Sequence, residues 1–424
     1  MKRTLLGCFL IVTTLSLSAQ IQKDRAESRF SYRVPVTNEW VFYAPEYPII
    51  QVIAKNGSND AVTTVLQLDV ATDQRQNLFS SSQTITLQKG DSTQVDFSFT
   101  LPAPGFYRCT LFEKEAGTSK EIKRFNIGYE PEAIISLPDN QPDFMTFWEE
   151  SKSELAKVEP DYQLRLIPDS SDNKRKLYMV KMKSYGGVEI SGYYSVPAKK
   201  GKYPAIISYM GYGSKPWAPG GTPGYVEFVL SVRGQSLQQP TNSYGDWIAY
   251  GLESQEGYYY RGAFMDLIRA IDFVASRPEV NTNAIFAEGG SQGGAFTLAA
   301  CALDDRICAA APTIPFLSDY PDYFKIVHWP AESILRKQQE LKISDADLYR
   351  VLSYFDIKNL AGWINCPVIM GVGLQDETCP PHTNFSGYNR ISSEKEYHIY
   401  PLNGHNTPPS WQQTKMEFFE KHIR

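Results

Sequence analysis

One stretch carries residue types and spacing suited to nucleophilic chemistry, Gly289-Gly290-Ser291-Gln292-Gly293. It follows the apolar run Ala284–Glu288 and precedes the small-residue stretch Ala295–Leu303. A serine so flanked fits a nucleophile elbow, G-x-S-x-G, in which a tight strand-to-helix turn lifts the hydroxyl out of a sheet. Its neighbours must lack bulk where backbone segments approach closely. The helix that follows aims its first N–H groups at the place where negative charge would develop.

A serine hydroxyl is a weak nucleophile and needs a base oriented by an acid. In this architecture the chain order is Ser, then Asp or Glu, then His. The run Val368–Val372 ends in Gly373-Leu374-Gln375-Asp376-Glu377, which puts an acid just past a strand's carboxyl end. Asp376 is the expected acid and Glu377 its nearest rival. Five histidines are available. His405 follows the last strand pattern, Tyr397–Tyr400, and precedes the last helix, where the base belongs. His328 comes before the acid, His398 lies inside a strand pattern, His382 follows Pro380-Pro381 too near the acid, and His422 ends the final helix. Two backbone donors should form an oxyanion hole. One is the N–H of Gln292, and the other is assigned to Tyr212, in the turn Met210-Gly211-Tyr212-Gly213 after Ala205–Tyr209. Such a site performs acyl transfer and requires no metal or organic cofactor. Trp217 and Tyr258 could stack on a sugar, although core packing is the commoner use of an aromatic ring.

These residues need a scaffold. From Tyr178 onward apolar runs alternate with helical patterns, as βαβ architecture requires. The expected buried strands are Ala205–Tyr209, Phe228–Val232, Ala284–Glu288, Ala309–Thr313, Val368–Val372 and Tyr397–Tyr400. Phe264, Leu267, Ile268, Ile271 and Ala275 mark one helix face, and Phe144, Phe147, Trp148 and Leu155 another. Between Phe316 and Trp363 a Tyr- and Pro-rich stretch breaks the pattern and reads as a lid-like insertion, and a helix near Trp411 to Ile423 closes the chain.

Upstream the periodicity changes to two. Leu66, Leu68 and Val70 alternate with polar residues, as do Val95, Phe97 and Phe99, and Tyr107, Cys109 and Leu111. Short strands at this spacing predict an immunoglobulin-like sandwich over residues 20–130, with no cluster of catalytic residue types, hence a spacer or docking module. The proline-rich segment 131–142 links it to an α/β-hydrolase domain spanning 131–424. Residues 1–19 read as a signal peptide: Lys2-Arg3, an apolar Leu5 to Leu17, and Ser18-Ala19 before the cut. The expectation is therefore secretion or a periplasmic location, with no stable membrane insertion, since the apolar run is too short to span; a lipid anchor is the less favoured alternative, because Cys8 of the lipoprotein-like Leu5-Leu6-Gly7-Cys8 comes before most of the apolar run.

Composition, 42% hydrophobic and 21% charged, is normal for a soluble globular protein, and 424 residues are too many for one ordinary core. A net charge of −5 argues against a nucleic-acid partner. Lys174-Arg175-Lys176 reads as a solvated turn. Without Cys8 in the leader, five cysteines remain, an odd number with no metal-type spacing, so buried free thiols are expected.

Taken together, four stretches make the chain resemble the acetyl xylan esterase and cephalosporin-C deacetylase family, carbohydrate esterase family seven. They are Arg233-Gly234-Gln235, the Gly-Gly-Ser-Gln-Gly elbow, Gly-Leu-Gln-Asp376 leading into Cys379-Pro380-Pro381, and the terminal histidine loop. Tyr258-Tyr259-Tyr260-Arg261 and Tyr354-Phe355-Asp356 also match that family's surroundings. The resemblance covers roughly Pro131 to the C-terminus. It implies removal of acetyl groups from acetylated xylan or xylo-oligosaccharides by a Ser291, Asp376 and His405 triad, with Tyr212 and Gln292 at the oxyanion hole. It also implies that Arg233, Gly234 and Gln235 brace the site. Arg233 ends an expected strand, and its charge would then need a buried partner. Two positions depart from the family: Asn406 stands where glutamate usually follows the histidine, and Met210 where histidine usually precedes Gly-Tyr. The family implies a homo-oligomer, a closed hexameric ring, which an extra N-terminal domain calls into question. Competing readings are a serine peptidase of the prolyl-oligopeptidase type and a non-catalytic glycan-binding protein.

Overall fold

A computed structural model describes residues 29–115, 117–235, 237 and 244–423. The expected signal peptide lies outside the described residues.

The N-terminal strands are β1 (Phe30–Arg33), β2 (Val41–Phe42), β3 (Ile49–Asn56), β4 (Val62–Thr72), β5 (Asn77–Leu87), β6 (Ser92–Ser98), β7 (Gly105–Glu115) and β8 (Thr118–Tyr129). They form a three-stranded sheet, β1-β3-β6, and a five-stranded sheet, β2-β8-β7-β4-β5. The alternation seen in the sequence places one side of each strand inward. Leu66, Leu68, Val70, Cys109 and Leu111 are fully buried, and Val95, Phe97 and Phe99 are buried as well. This partition of strands is that of an immunoglobulin-type sandwich. Tyr107, near the start of β7, donates its hydroxyl to the Ala103 carbonyl, the tyrosine corner common in such sandwiches.

A nine-stranded sheet follows, built from β9 (Gln163–Leu166), β10 (Arg175–Lys183), β11 (Glu189–Pro197), β12 (Tyr203–Tyr209), β13 (Val226–Ser231), β14 (Val280–Gly290), β15 (Ala309–Thr313), β16 (Val368–Gly373) and β17 (Lys395–Tyr400). Its order is β17-β16-β15-β14-β12-β13-β11-β10-β9, parallel from β13 to β17 and antiparallel over β9 to β11. Each of the six expected strands falls on a strand of this sheet, with Phe228–Val232 running one residue past the end of β13. The antiparallel ribbon had no place among them, because its hairpins do not follow a βαβ rhythm.

The helices are α1 (Phe144–Ala156), α2 (Tyr259–Ala275), α3 (Gln292–Leu303), α4 (Tyr320–Ile326), α5 (Ala331–Leu341), α6 (Asp345–Ser353), α7 (Ile357–Leu360), α8 (Pro381–Tyr388) and α9 (Ser410–Lys421). Both faces of the sheet are covered, which is why its central strands read as continuous apolar runs. In β14, Ile285 and Ala287 face the core shared with α2 and α3, while Phe286 packs on Phe419 of α9 with ring centroids 4.7 Å apart. Trp148 of α1 stacks on Phe264 of α2 at 5.5 Å. The stretch between β15 and β16 is helical, α4 to α7, and is pinned by Asp356. Its carboxylate accepts from the N–H groups of Asp319 (2.8 Å), Tyr320 (3.0 Å) and Lys358 (3.0 Å).

One surface reading needs correction. Arg175 is not a solvated turn residue: it bonds Ser195 Oγ, the Thr222 carbonyl and Glu227, tying β10 to β11 and β13. Cys109, Cys301 and Cys379 are buried and Cys308 and Cys366 partly so, all five as free thiols. Among the described residues no helix is long and apolar enough to cross a membrane.

Candidate active site

Ser291 sits between β14 and α3 at φ 59°, ψ −122°. A side chain at positive φ is strained, and the surrounding backbone enforces the strain. The Ser291 N–H donates to the Thr313 carbonyl (3.0 Å), and its carbonyl accepts from Ala295 (3.1 Å) and Phe316 (3.1 Å). The glycines are required by close approach. A Cβ on Gly289 would lie 2.4 Å from the Gly293 carbonyl oxygen, and one on Gly293 would lie 2.1 Å from that of Tyr209.

Asp376 follows β16 and is fully buried; His405 follows β17 and is about one-third exposed. Imidazole Nδ1 lies 2.8 Å from Asp376 Oδ2. The other carboxylate oxygen accepts from the N–H groups of Thr378 (2.8 Å) and Cys379 (2.9 Å). The two loops are joined through their main chains, Leu374 N–H to the Tyr400 carbonyl (3.1 Å) and Gln375 N–H to that of Asn403 (2.8 Å). Glu377, the rival acid, points elsewhere: it is exposed and pairs with Arg108 of the sandwich at 3.3 Å.

Ser291 and His405 line the same two cavities, one of about 270 Å³ and a wider cleft of about 810 Å³. Among the described residues no hydrogen bond joins them. Ser291 Oγ instead lies 3.9 Å from Cys379 Sγ. Catalytic hydrogen bonds of this kind often form only when substrate arrives. Burial pushes the Cys379 thiol well above its ordinary pKa, with the Asp376 carboxylate adding to the effect, so the sulfur stays protonated beside the serine.

The expected oxyanion donors, the N–H groups of Tyr212 and Gln292, bond no other protein group among the described residues. The Tyr212 ring is turned away and fixed by its hydroxyl on Asp246 (2.5 Å) and by edge contact with Trp247 at 5.0 Å. Gln235 links the two donor loops. Its Oε1 accepts from the Gly213 N–H at 3.1 Å, and its amide meets that of Gln292 at 3.5 Å. Tyr260 also donates to Gln292 Oε1 at 2.9 Å, and Tyr259 to the Arg233 carbonyl at 2.6 Å.

Arg233 is buried, and its partner is Asp266 of α2. Nε meets Oδ2 at 2.9 Å, Nη2 meets Oδ1 at 2.7 Å, and the Arg233 N–H adds a third bond at 3.0 Å. Gly234 takes a positive φ of 73°, and a Cβ there would strike Tyr244 and Trp247 at 2.6 and 2.7 Å. Sequence reasoning called for a buried partner without finding it. The available signal was an acid, Asp266, set between the apolar pairs Phe264-Met265 and Leu267-Ile268 of the second helix. Tyr258 is also buried, with its hydroxyl on the Ile248 carbonyl, which removes it as a sugar platform. Trp217 is half exposed on the wide cleft, and Trp329, missed in the sequence, lies exposed on the smaller cavity.

Among the described residues, two groups of side chains could approach a metal ion, Asp376 with Cys379 and His405, and Asp319 with Asp322 and His382. In the first, both carboxylate oxygens already serve protein donors and the thiol is held protonated. In the second, Asp319 is occupied by Ser136, Ser386 and Lys358. Neither donor set fits a resident cation.

A sheet covered on both faces, a serine on a strained elbow and a buried aspartate paired with a partly exposed histidine after later strands define an α/β-hydrolase. The acetyl xylan esterase (AXE1) family model matches residues 135–423, and the chain belongs to that family of carboxylic-ester hydrolases. It is 26% identical over 366 residues to the acetyl esterase Axe7A of Xylanibacter ruminicola, covering 81% of this chain and 80% of that one. The solved acetyl xylan esterase of a Paenibacillus species superposes with a TM-score of 0.64 at 30% identity, over 69% of this chain and 99% of the other. Acetyl xylan esterase 1 of a Thermoanaerobacterium species gives 0.64 at 27% identity, over 70% and 98%.

Proposed function

We propose that this enzyme removes acetyl groups from acetylated xylan or its oligosaccharides, with Ser291 as nucleophile, His405 as base and Asp376 as orienting acid. The observation that carries the proposal is the Asp376–His405 pair opening onto the same cavity as Ser291 and the unpaired Tyr212 N–H. His405 takes the Ser291 proton as the oxygen attacks the acetyl carbonyl. Asp376 holds Nδ1 protonated, so that Nε2 is free to accept. The Tyr212 and Gln292 N–H groups stabilise the tetrahedral oxyanion, each by roughly 3–4 kcal/mol. As the tetrahedral intermediate collapses, the bond from the acyl carbon to the sugar oxygen breaks, and the imidazolium gives its proton to that oxygen, which leaves as the sugar hydroxyl. Water deprotonated by His405 then attacks the acetyl-serine, releasing acetate and restoring the hydroxyl.

The two cavities divide the ester between them. The smaller, beside Phe316 and Cys379, suits a short acyl group. The wider cleft, with Trp217 at its rim, suits the sugar, whose apolar face can lie on an indole ring.

The test is acetate release from acetylated xylo-oligosaccharides by the wild type and by Ser291→Ala, with a peptide amide as control. Release that disappears in the variant supports the reading. Release that persists removes Ser291 as nucleophile, and cleavage of the amide in place of the ester would make the enzyme a peptidase. A leader sequence would place this activity outside the cytoplasm; N-terminal sequencing of the mature enzyme from its host tests for a cut after Ala19.

A further inference from the structure

The sandwich does not touch the hydrolase domain at random. Asn126 lies on β8, facing away from the sandwich core, and its N–H donates to Gln375 Oε1 at 2.6 Å. Gln375 Nε2 returns a bond to the Asn126 carbonyl at 3.2 Å, so the side-chain amide docks on the edge of β8 as a neighbouring strand's peptide would. Asn126 Nδ2 also donates to the Leu374 carbonyl at 3.0 Å, and Gln375 Nε2 to that of Pro401 at 2.7 Å. One residue of the sandwich therefore holds the two residues preceding Asp376. Through Gln375 the same clamp reaches the start of the loop that carries His405.

We propose that the sandwich is a working part of the esterase site, and that Asn126 is a positioning residue which sets Asp376 against His405 through Gln375. The inference rests on the triad assigned above. The Asp376 carboxylate is fixed locally by the Thr378 and Cys379 N–H groups, so it moves wherever its loop moves. The loop is held by main-chain pairing to Asn403 and Tyr400 on one side, by the Tyr323 hydroxyl on the Thr378 carbonyl (3.1 Å) after Asp376, and by the Asn126 clamp on the residues before it. The Arg108–Glu377 pair lies beside the clamp, but Glu377 is largely exposed, so that contact adds little.

The experiment compares full-length Gln375→Leu, Asn126→Ala, Ser291→Ala and wild type on p-nitrophenyl acetate, with melting temperature recorded for each. Gln375→Leu removes three bonds of the clamp and should lower kcat roughly tenfold to a hundredfold, the scale of a small misplacement at a reacting group. KM should stay within about twofold, because no substrate contact is lost. A sandwich that only adds stability would lower the melting temperature and leave kcat alone, which would overturn the proposal. If Gln375→Leu fails to fold, Asn126→Ala decides. It removes only the bond to Leu374, so a several-fold loss of kcat is expected, and a wild-type kcat rejects the idea. Residual activity in Ser291→Ala would instead sink the triad. An inactive Ser291→Ala beside unaffected clamp variants sinks only the role of Asn126.

Discussion

His405 Nδ1 lies 2.8 Å from Asp376 Oδ2, and the carboxylate it meets is fully buried. In that surrounding the acid cannot be replaced by its neighbour Glu377, whose side chain reaches the sandwich instead. Asp376→Asn should keep the fold but leave the imidazole in the wrong tautomer, with kcat lower by roughly 10⁴. Steady-state rates on p-nitrophenyl acetate, with a melting curve to verify folding, check this. A loss of less than tenfold would mean that another group orients His405.

Gln235 provides a second handle, on the electrophilic side of the site. Its Oε1 holds the Gly213 N–H, next to the proposed Tyr212 donor, and its amide touches Gln292, the other proposed donor. Gln235→Leu should let the Tyr212 loop drift and weaken oxyanion stabilisation without deleting a donor. The expected result is a kcat loss of about tenfold, smaller than the 10²–10³ typical of a deleted donor. Unchanged kcat with a lower melting temperature would make Gln235 a packing residue only.

Beneath it, Arg233 and Asp266 form a pair with almost no exposure, three bonds deep. Arg233→Met strands a buried carboxylate and should cost about 3–5 kcal/mol of stability. The double variant Arg233→Met with Asp266→Leu removes both charges and should recover most of that loss. Urea unfolding of the three proteins measures the difference. A double variant as unstable as the single one would show that the bonds to the backbone, not charge compensation, dominate.

The site was legible where chemistry follows chain order. In a parallel sheet side chains just after a strand's carboxyl end share one rim, so Ser291, Asp376 and His405 could be nominated from apolar runs and the residues that follow them, and the structure brings Asp376 to 2.8 Å from His405. The sandwich was legible for a related reason, since period-2 alternation in β4, β6 and β7 is a local signal. Contacts between distant segments were not legible. The sequence demanded a partner for Arg233 but could not choose Asp266, 33 residues away. Nothing local to Asn126 or Gln375 marks them as a pair, because their contact exists only once two domains have docked. Tyr258 had two readings, a sugar platform or the commoner core packing, and only its burial selects the second.

The docking surface should also respond to pH. His382 of α8 lies between two carboxylates, with Nδ1 2.8 Å from Asp73 Oδ2 of the sandwich and Nε2 3.4 Å from Asp322 Oδ2. The closer contact is not aligned as a hydrogen bond and acts as a contact between charges. Burial alone would push the imidazole pKa down, but Asp322 and Asp73 outweigh it and raise it from 6.5 to about 10. Between those values the folded chain keeps a proton that the unfolded chain has released. Stability from this group is therefore complete below about pH 6.5 and is lost as pH rises through about 10. His382→Gln should melt several degrees below wild type at pH 6, and the gap should narrow steadily as pH approaches 10. Taking the difference between the two proteins cancels the other groups that titrate in that range. A gap that stays constant across pH would mean that His382 contributes packing and no charge to the contact between the domains.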